Sequence, residues 1–144
     1  MSLTAAEIEK LIPHSGAMSL LGAALEWDRQ RIRCSASSHR DPLNPLRGEA
    51  GLSSIRGLEY AAQGMAVHGA LIDENNAAQA GLLISVRDVR LMVQRLDDIP
   101  HDLIIDAEIL IADDTLFSYQ FRISANDMDL ITGQAAVMFL RKST

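Results

Sequence analysis

The chain has 144 residues, a net charge of −6 and a pI of about 5.1, a balance that argues against nucleic acid, whose phosphates need a basic face. Hydrophobic residues at 48% and charged residues at 22% fit one soluble globular domain over residues 1–144 with a substantial core. Cys34 is the single cysteine, so no internal disulfide forms, and with no bilayer-length apolar run and no signal-peptide pattern the expected location is the cytoplasm, away from membranes.

Thr4 and Glu7 stand three residues apart as a capping box, each side chain able to satisfy a backbone donor at the other's position. They open a short helix carrying Ile8, Leu11 and Ile12, which Pro13 stops. Two strands follow over 18–27 and 30–38, the second alternating Ile32, Cys34, Ala36, with Asp28-Arg29 expected as the turn between them. Residues 39–52 hold Pro42, Pro45, Gly48 and Gly51 and read as an ordered loop.

Residues 53–72 predict the long helix around which the chain is organised. Ile55, Leu58, Ala61, Ala62, Met65, Ala66, Val67 and Leu71 cover most of its circumference, so it must be surrounded by other structure. Its alanines and glycines keep it thin, and Ser53 or Ser54 is placed to cap its start. Glu59 and Gln63 are the anomaly, four residues apart on one stripe of an apolar helix. Residues 73–79 read as a connection. Three long stretches then alternate with period two: 83–96, the segment of Leu103, Ile105, Ala107, Ile109 and Ile111, and that of Phe117, Tyr119, Phe121 and Ile123. A last strand over 130–140 follows a turn at 126–129. Such alternation marks an antiparallel sheet with one wet face. The expected fold is α+β, a curled antiparallel sheet wrapped around one long helix.

This order resembles the hotdog fold. Leu11-Ile-Pro-His14, followed by Leu25-Glu-Trp-Asp28, resembles the opening of bacterial 3-hydroxyacyl-ACP dehydratases, and Gly57-Leu-Glu-Tyr-Ala-Ala-Gln63 resembles their central-helix segment. Arg87-Asp-Val falls where the family's next strand begins. More narrowly, the chain looks like the dehydratase-like proteins of aryl polyene and related polyketide-type clusters.

The resemblance implies chemistry on an acyl thioester carried by ACP or CoA, with no cofactor of the protein's own. In the family a His removes a proton beside the thioester carbonyl, the helix carboxylate protonates the departing hydroxyl, and backbone N–H groups at the helix start hold the thioester oxygen. Glu59 carries over as the acid, and a carboxyl in apolar surroundings would donate a proton near neutral pH. The family's His-Phe-Pro-Gly segment does not carry over: fourteen residues before Glu59 stands Pro45. His39 and His14 are the candidate substitutes, with a solvated histidine at a strand end and a turn residue as their respective structural alternatives. Gln63, Asn44, Arg47, Ser54, Arg56 and Gly57 are the candidate substrate-binding residues. From spacing alone, Glu59 is as readily a structural carboxylate bonded to Gln63. The candidate functions are therefore a dehydratase-like lyase, a thioesterase using the same carboxylate on water, or a binding subunit that needs a catalytic partner. Hotdog proteins pair with active sites at the shared interface, so a homodimer or a heterodimer with a related subunit is expected. His68, half a helical turn away from Glu59, reads as a packed residue, and Met65, Met92 and Met138 as core. No His or Cys has metal-ligand spacing.

Overall fold

A computed structural model describes residues 2–12, 16–73 and 81–139. The elements are β1 (Leu3–Thr4), α1 (Ala5–Glu9), β2 (Ala23–Trp27), β3 (Arg31–Ala36), α2 (Gly57–Ile72), β4 (Gly81–Leu91), β5 (Leu103–Ala112), β6 (Leu116–Ala125) and β7 (Met128–Phe139). The strands form one sheet in the order β1-β2-β3-β5-β6-β7-β4, and every pairing is antiparallel. Helix α2 lies against the inner face and packs on β3, β4, β5, β6 and β7. This is the hotdog arrangement that the sequence resembles.

Local signals act as expected in several places. The Thr4–Glu7 capping box closes in both directions. Ile105, Tyr119, Phe121 and Ile123 are fully or almost fully buried, each such side chain worth about 1.5–3 kcal/mol of transfer from water. The β6–β7 hairpin turns on Asn126 and Asp127, both at positive φ (50° and 63°), the backbone that a two-residue hairpin requires and that Asn and Asp tolerate. Helix α2 can lie close to the sheet because of its glycines: a Cβ on Gly57 would run into the Ile131 Cδ1 methyl, and one on Gly69 into the Phe139 ring.

Other expectations shift. The β2–β3 turn is centred one residue later, on Arg29 and Gln30: Asp28 Oδ1 accepts from the N–H groups of Gln30 (2.8 Å) and Arg31 (2.9 Å), and Asp28 N–H donates to Arg31 O. The expected strand over 83–96 ends at Leu91, and its alternation is broken by register shifts between Leu83 and Ser85 and between Arg87 and Arg90. Asp88 sits at the second shift with φ +55°, the left-handed backbone that one type of bulge uses. Met92 is 48% exposed, not core. Neither Ser53 nor Ser54 caps α2. A 3-10 turn at Ser54–Arg56 precedes the helix instead, with Arg56 N–H donating to Ser53 O and Gly57 N–H to Ser54 O. The connection expected after residue 73 lies, from 74 on, outside the described residues.

His68 is packed, as expected. It is fully buried, and its Nε2–H donates to Asp28 O (2.8 Å) while Nδ1 accepts from the Tyr119 hydroxyl (2.7 Å). Burial holds its pKa below the usual histidine value, and the same is true of buried His39. A group whose folded pKa is lowered takes up more protons in the unfolded chain, so its contribution is complete above the unfolded value near 6.5 and is lost progressively as pH falls from there through the lower folded value. The chain is therefore expected to unfold at lower urea concentration at pH 5.5 than at pH 7.5. Replacing His68 by Gln should flatten that dependence. A urea midpoint that does not move between those pH values would contradict the neutral assignment.

Candidate functional site

Of the described candidates, Ser54, Arg56, Gly57, Glu59 and Gln63 lie on α2 or the turn that opens it, and Asn44 reaches Tyr60 there. Glu59 lies in the first turn, with its side chain 43% exposed, and its Oε1 accepts from Arg56 Nη1 at 3.1 Å. The expectation of an apolar enclosure is thus corrected: within one subunit this carboxyl meets water and a guanidinium. The bond expected between Glu59 and Gln63 is not made. Gln63 is buried, its Oε1 accepts from Leu20 N–H (2.9 Å), and its Nε2 donates to Met18 O (2.6 Å). It fastens α2 to the segment before β2.

His39 is not the solvated strand-end residue expected. It is fully buried in a 3-10 turn, and its Nε2 faces two carbonyl oxygens, of Ile99 (3.2 Å) and His101 (3.0 Å). Only a protonated nitrogen satisfies both, so the hydrogen sits on Nε2. Nδ1 is enclosed without a protein partner. His14 lies outside the described residues. None of His39, His68 and His101 hydrogen-bonds to Glu59.

Asn44 is buried at the centre of a relay. Its Nδ2 donates to Ser38 O (2.8 Å) and to the Tyr60 hydroxyl (3.0 Å), and its Oδ1 accepts from Leu46 N–H. The Ser38 hydroxyl donates to Leu20 O (2.7 Å), so the Tyr60 hydroxyl, 2.8 Å away, donates to Ser38 Oγ. Every hydrogen in this chain is assigned by elimination, because an amide N–H has only one direction to give. The loop of residues 38–47 is thereby locked onto α2 one residue past Glu59.

A second lock lies on the other side of the helix start. Asp97, with a side chain only 6% exposed, accepts from Leu52 N–H (2.8 Å), from Arg95 Nε (3.1 Å) and Nη2, and faces Arg47 Nη1 at 3.6 Å. The Arg95 guanidinium holds its carboxyl well below the usual carboxylate range. Gly51 has φ +98°, and a Cβ there would meet both Asp97 oxygens at 2.7 Å. Arg47 also donates to Asp41 O, and buried Ser54 donates its N–H to Gln94 O. Arg47, Asn44, Ser54 and Gly57 are thus framework that positions the start of α2, and Arg56 is bound to Glu59. Of this framework, Tyr60, Ser38 and Asp97 went unread in the sequence. Gly51 beside the prolines was the one local hint, since a glycine in a tight loop marks positive φ.

Two surface depressions accompany these elements. One of about 830 Å³ lies over the outer face of the sheet and includes Glu26, Arg33, Asp106 and Arg122. The other, about 430 Å³, lies beyond the end of α2 and includes Ile72, Asp73, Asp113 and Phe117. Neither includes Glu59. Among the described residues no group of His, Cys, Asp and Glu is placed to hold a metal ion, and no helix is long and apolar enough to cross a membrane.

A family model of ApeP-like proteins, described as ApeP dehydratase, matches residues 6–142. No curated protein matches the chain. Among solved structures, the dehydratase heterocomplex ApeI:P from Xenorhabdus doucetiae is similar, with a TM-score of 0.83 and 25% identity over 94% of this chain and 91% of that one. AziG from S. sahachiroi shares the fold at TM-score 0.61 and 13% identity, over 85% and 92% of the two chains. So does a hypothetical thioesterase from Streptococcus pneumoniae solved with coenzyme A, at TM-score 0.58 and 10% identity over 84% and 87%.

Proposed function

The chain belongs to the ApeP-like dehydratase family, and on that premise we propose that it is the carboxylate-bearing half of a two-subunit site acting on 3-hydroxyacyl thioesters, carried on ACP or CoA. The observation that supports this reading most is the state of Glu59. It stands on the first turn of the central helix, half-exposed, with no histidine among the described residues bonded to it. Dehydration needs a base to take a proton from one carbon and an acid to protonate the hydroxyl on the next. Glu59 serves as the acid, and the base is a histidine on the loop of a partner hotdog subunit. Covering by that subunit also excludes water from the carboxyl and gives it the low-polarity setting that proton donation demands.

The surface around β4 supports such a partner. β4 is the last strand of the sheet. Leu83, Val86 and Leu91 stand opposite buried Val137, Ala135 and Ile131 on the helix side, yet are 40% to 45% exposed. An open strand edge flanked by exposed apolar side chains is a surface that proteins normally cover.

The test is turnover on a 3-hydroxyacyl thioester, alone and after mixing with a hotdog dehydratase subunit whose loop carries a His-Phe-Pro-Gly segment. Enoyl thioester is expected only from the mixture. Full turnover by this chain alone would refute the shared site. The solvent access of Glu59 favours one second reading, a thioesterase in which the carboxylate activates water. Release of free thiol in place of enoyl thioester identifies it.

A further inference from the structure

The solvent face of the sheet is laid out in rows of side chains directly opposite one another on neighbouring strands, and residues so paired share a face. One row runs Glu26 (β2), Arg33 (β3), Asp106 (β5), Arg122 (β6), Thr132 (β7), Arg90 (β4). A second runs Arg31 (β3), Glu108 (β5), Gln120 (β6), Gln134 (β7), Arg87 (β4). Inside the sheet each cation meets a carboxylate. Arg33 Nε lies 2.7 Å from Asp106, and Arg31 Nη2 lies 3.2 Å from Glu108. Arg122 lies 3.8 Å from Asp106 and 3.4 Å from Asp129.

Both rows then run off the sheet on a cation. Arg87 and Arg90 are exposed on the terminal strand. Their side chains form no ion pair or hydrogen bond with the described residues, and Asp88, between them at the bulge, pairs with neither.

We infer that β4 is a charge-selective edge, which accepts the edge strand of a second hotdog subunit presenting carboxylates opposite Arg87 and Arg90 and disfavours a second copy of this chain. This rests on the reading of the chain as half of a two-subunit site. Antiparallel self-pairing centred on the bulge sets Arg87 of each copy against Arg90 of the other, and like charges directly opposite are destabilising. An Asp or Glu in those places extends each row by one more ion pair. The apolar side chains Leu83, Val86 and Leu91 on the other face provide burial for any partner, and the arginines choose among partners.

The chain itself supplies the probe. In the double variant Arg87→Glu/Arg90→Glu both altered side chains are exposed and unpaired, so the fold is retained, as circular dichroism will check. Mixed with the unchanged chain, the variant presents the carboxylate edge. Sedimentation at ~50 mM salt is expected to show a mixed dimer at least about tenfold tighter than the self-association of the unchanged chain, loosening at ~0.5 M salt. The neutral pair Arg87→Gln/Arg90→Gln is expected to self-associate more tightly than the unchanged chain. The inference is overturned if the unchanged chain self-associates as tightly as the mixture, if no mixed dimer forms, or if the neutral pair gains nothing. These measurements read mass, not turnover, so their failure leaves the role of Glu59 standing, and the reverse also holds.

Discussion

Replacing Glu59 by Gln is expected to lower dehydration by the two-subunit complex about 10²–10⁴-fold, the loss that follows removal of one general acid. Gln matches Glu in shape and hydrogen-bonding reach but has no proton to give. The substitution removes only an exposed ion pair with Arg56 at 3.1 Å, and such pairs contribute about 0–1 kcal/mol. Thermal stability should therefore stay within about 3 °C of the unchanged protein. That combination separates the two readings of Glu59 left open by its spacing from Gln63. A structural carboxylate would lose stability and keep turnover, and a catalytic one loses turnover and keeps stability. Undiminished enoyl formation by the Glu59→Gln complex would remove this residue from the mechanism.

The parts of the fold that were legible are those written locally. The Thr4–Glu7 box spans three residues, the Asn126–Asp127 turn two, and the alternation through Phe117, Tyr119, Phe121 and Ile123 repeats every second position. Each depends on neighbours in the sequence, so the residues announce the geometry. The bulge at Asp88 was not legible, because it answers to the register of β7 rather than to its own segment. The site was legible only in outline. Glu59 stands on the helix as expected, and the resemblance pointed to its family. The burial of His39 is not legible locally because its partners, Ile99 and His101, lie some sixty positions along the chain. Asp97 was missed for the same reason: its role lies in Leu52 N–H and the space beside Gly51, contacts that no short window contains. The two locks made by Asn44 and Asp97 on either side of the helix start explain why the loop before α2 is rich in turn residues. In this subunit that loop is framework for the helix start, and on the proposed reading the helix carboxylate is what the subunit would bring to the chemistry.

Gln63→Ala is expected to cost about 2–4 kcal/mol, read as a fall in melting temperature of about 6–15 °C. Both ends of the amide are used in a buried place: Oε1 takes Leu20 N–H at 2.9 Å, and Nε2 gives to Met18 O at 2.6 Å. Truncation leaves a backbone donor and a backbone acceptor without partners and opens a small void beside α2, and each of these carries its own penalty. Gln63→Glu sharpens the test. The carboxylate still accepts from Leu20 but sets an anionic oxygen against the Met18 carbonyl. Protonation restores a donor there, so the variant should gain stability relative to the unchanged protein as pH falls, reversing the trend set by His39 and His68. If Gln63 instead oriented Glu59, Gln63→Ala would lower turnover at unchanged melting temperature. Melting curves of the two variants at pH 5.5 and 7.5, beside their turnover with the partner subunit, decide between a clasp in the core and a companion to the acid.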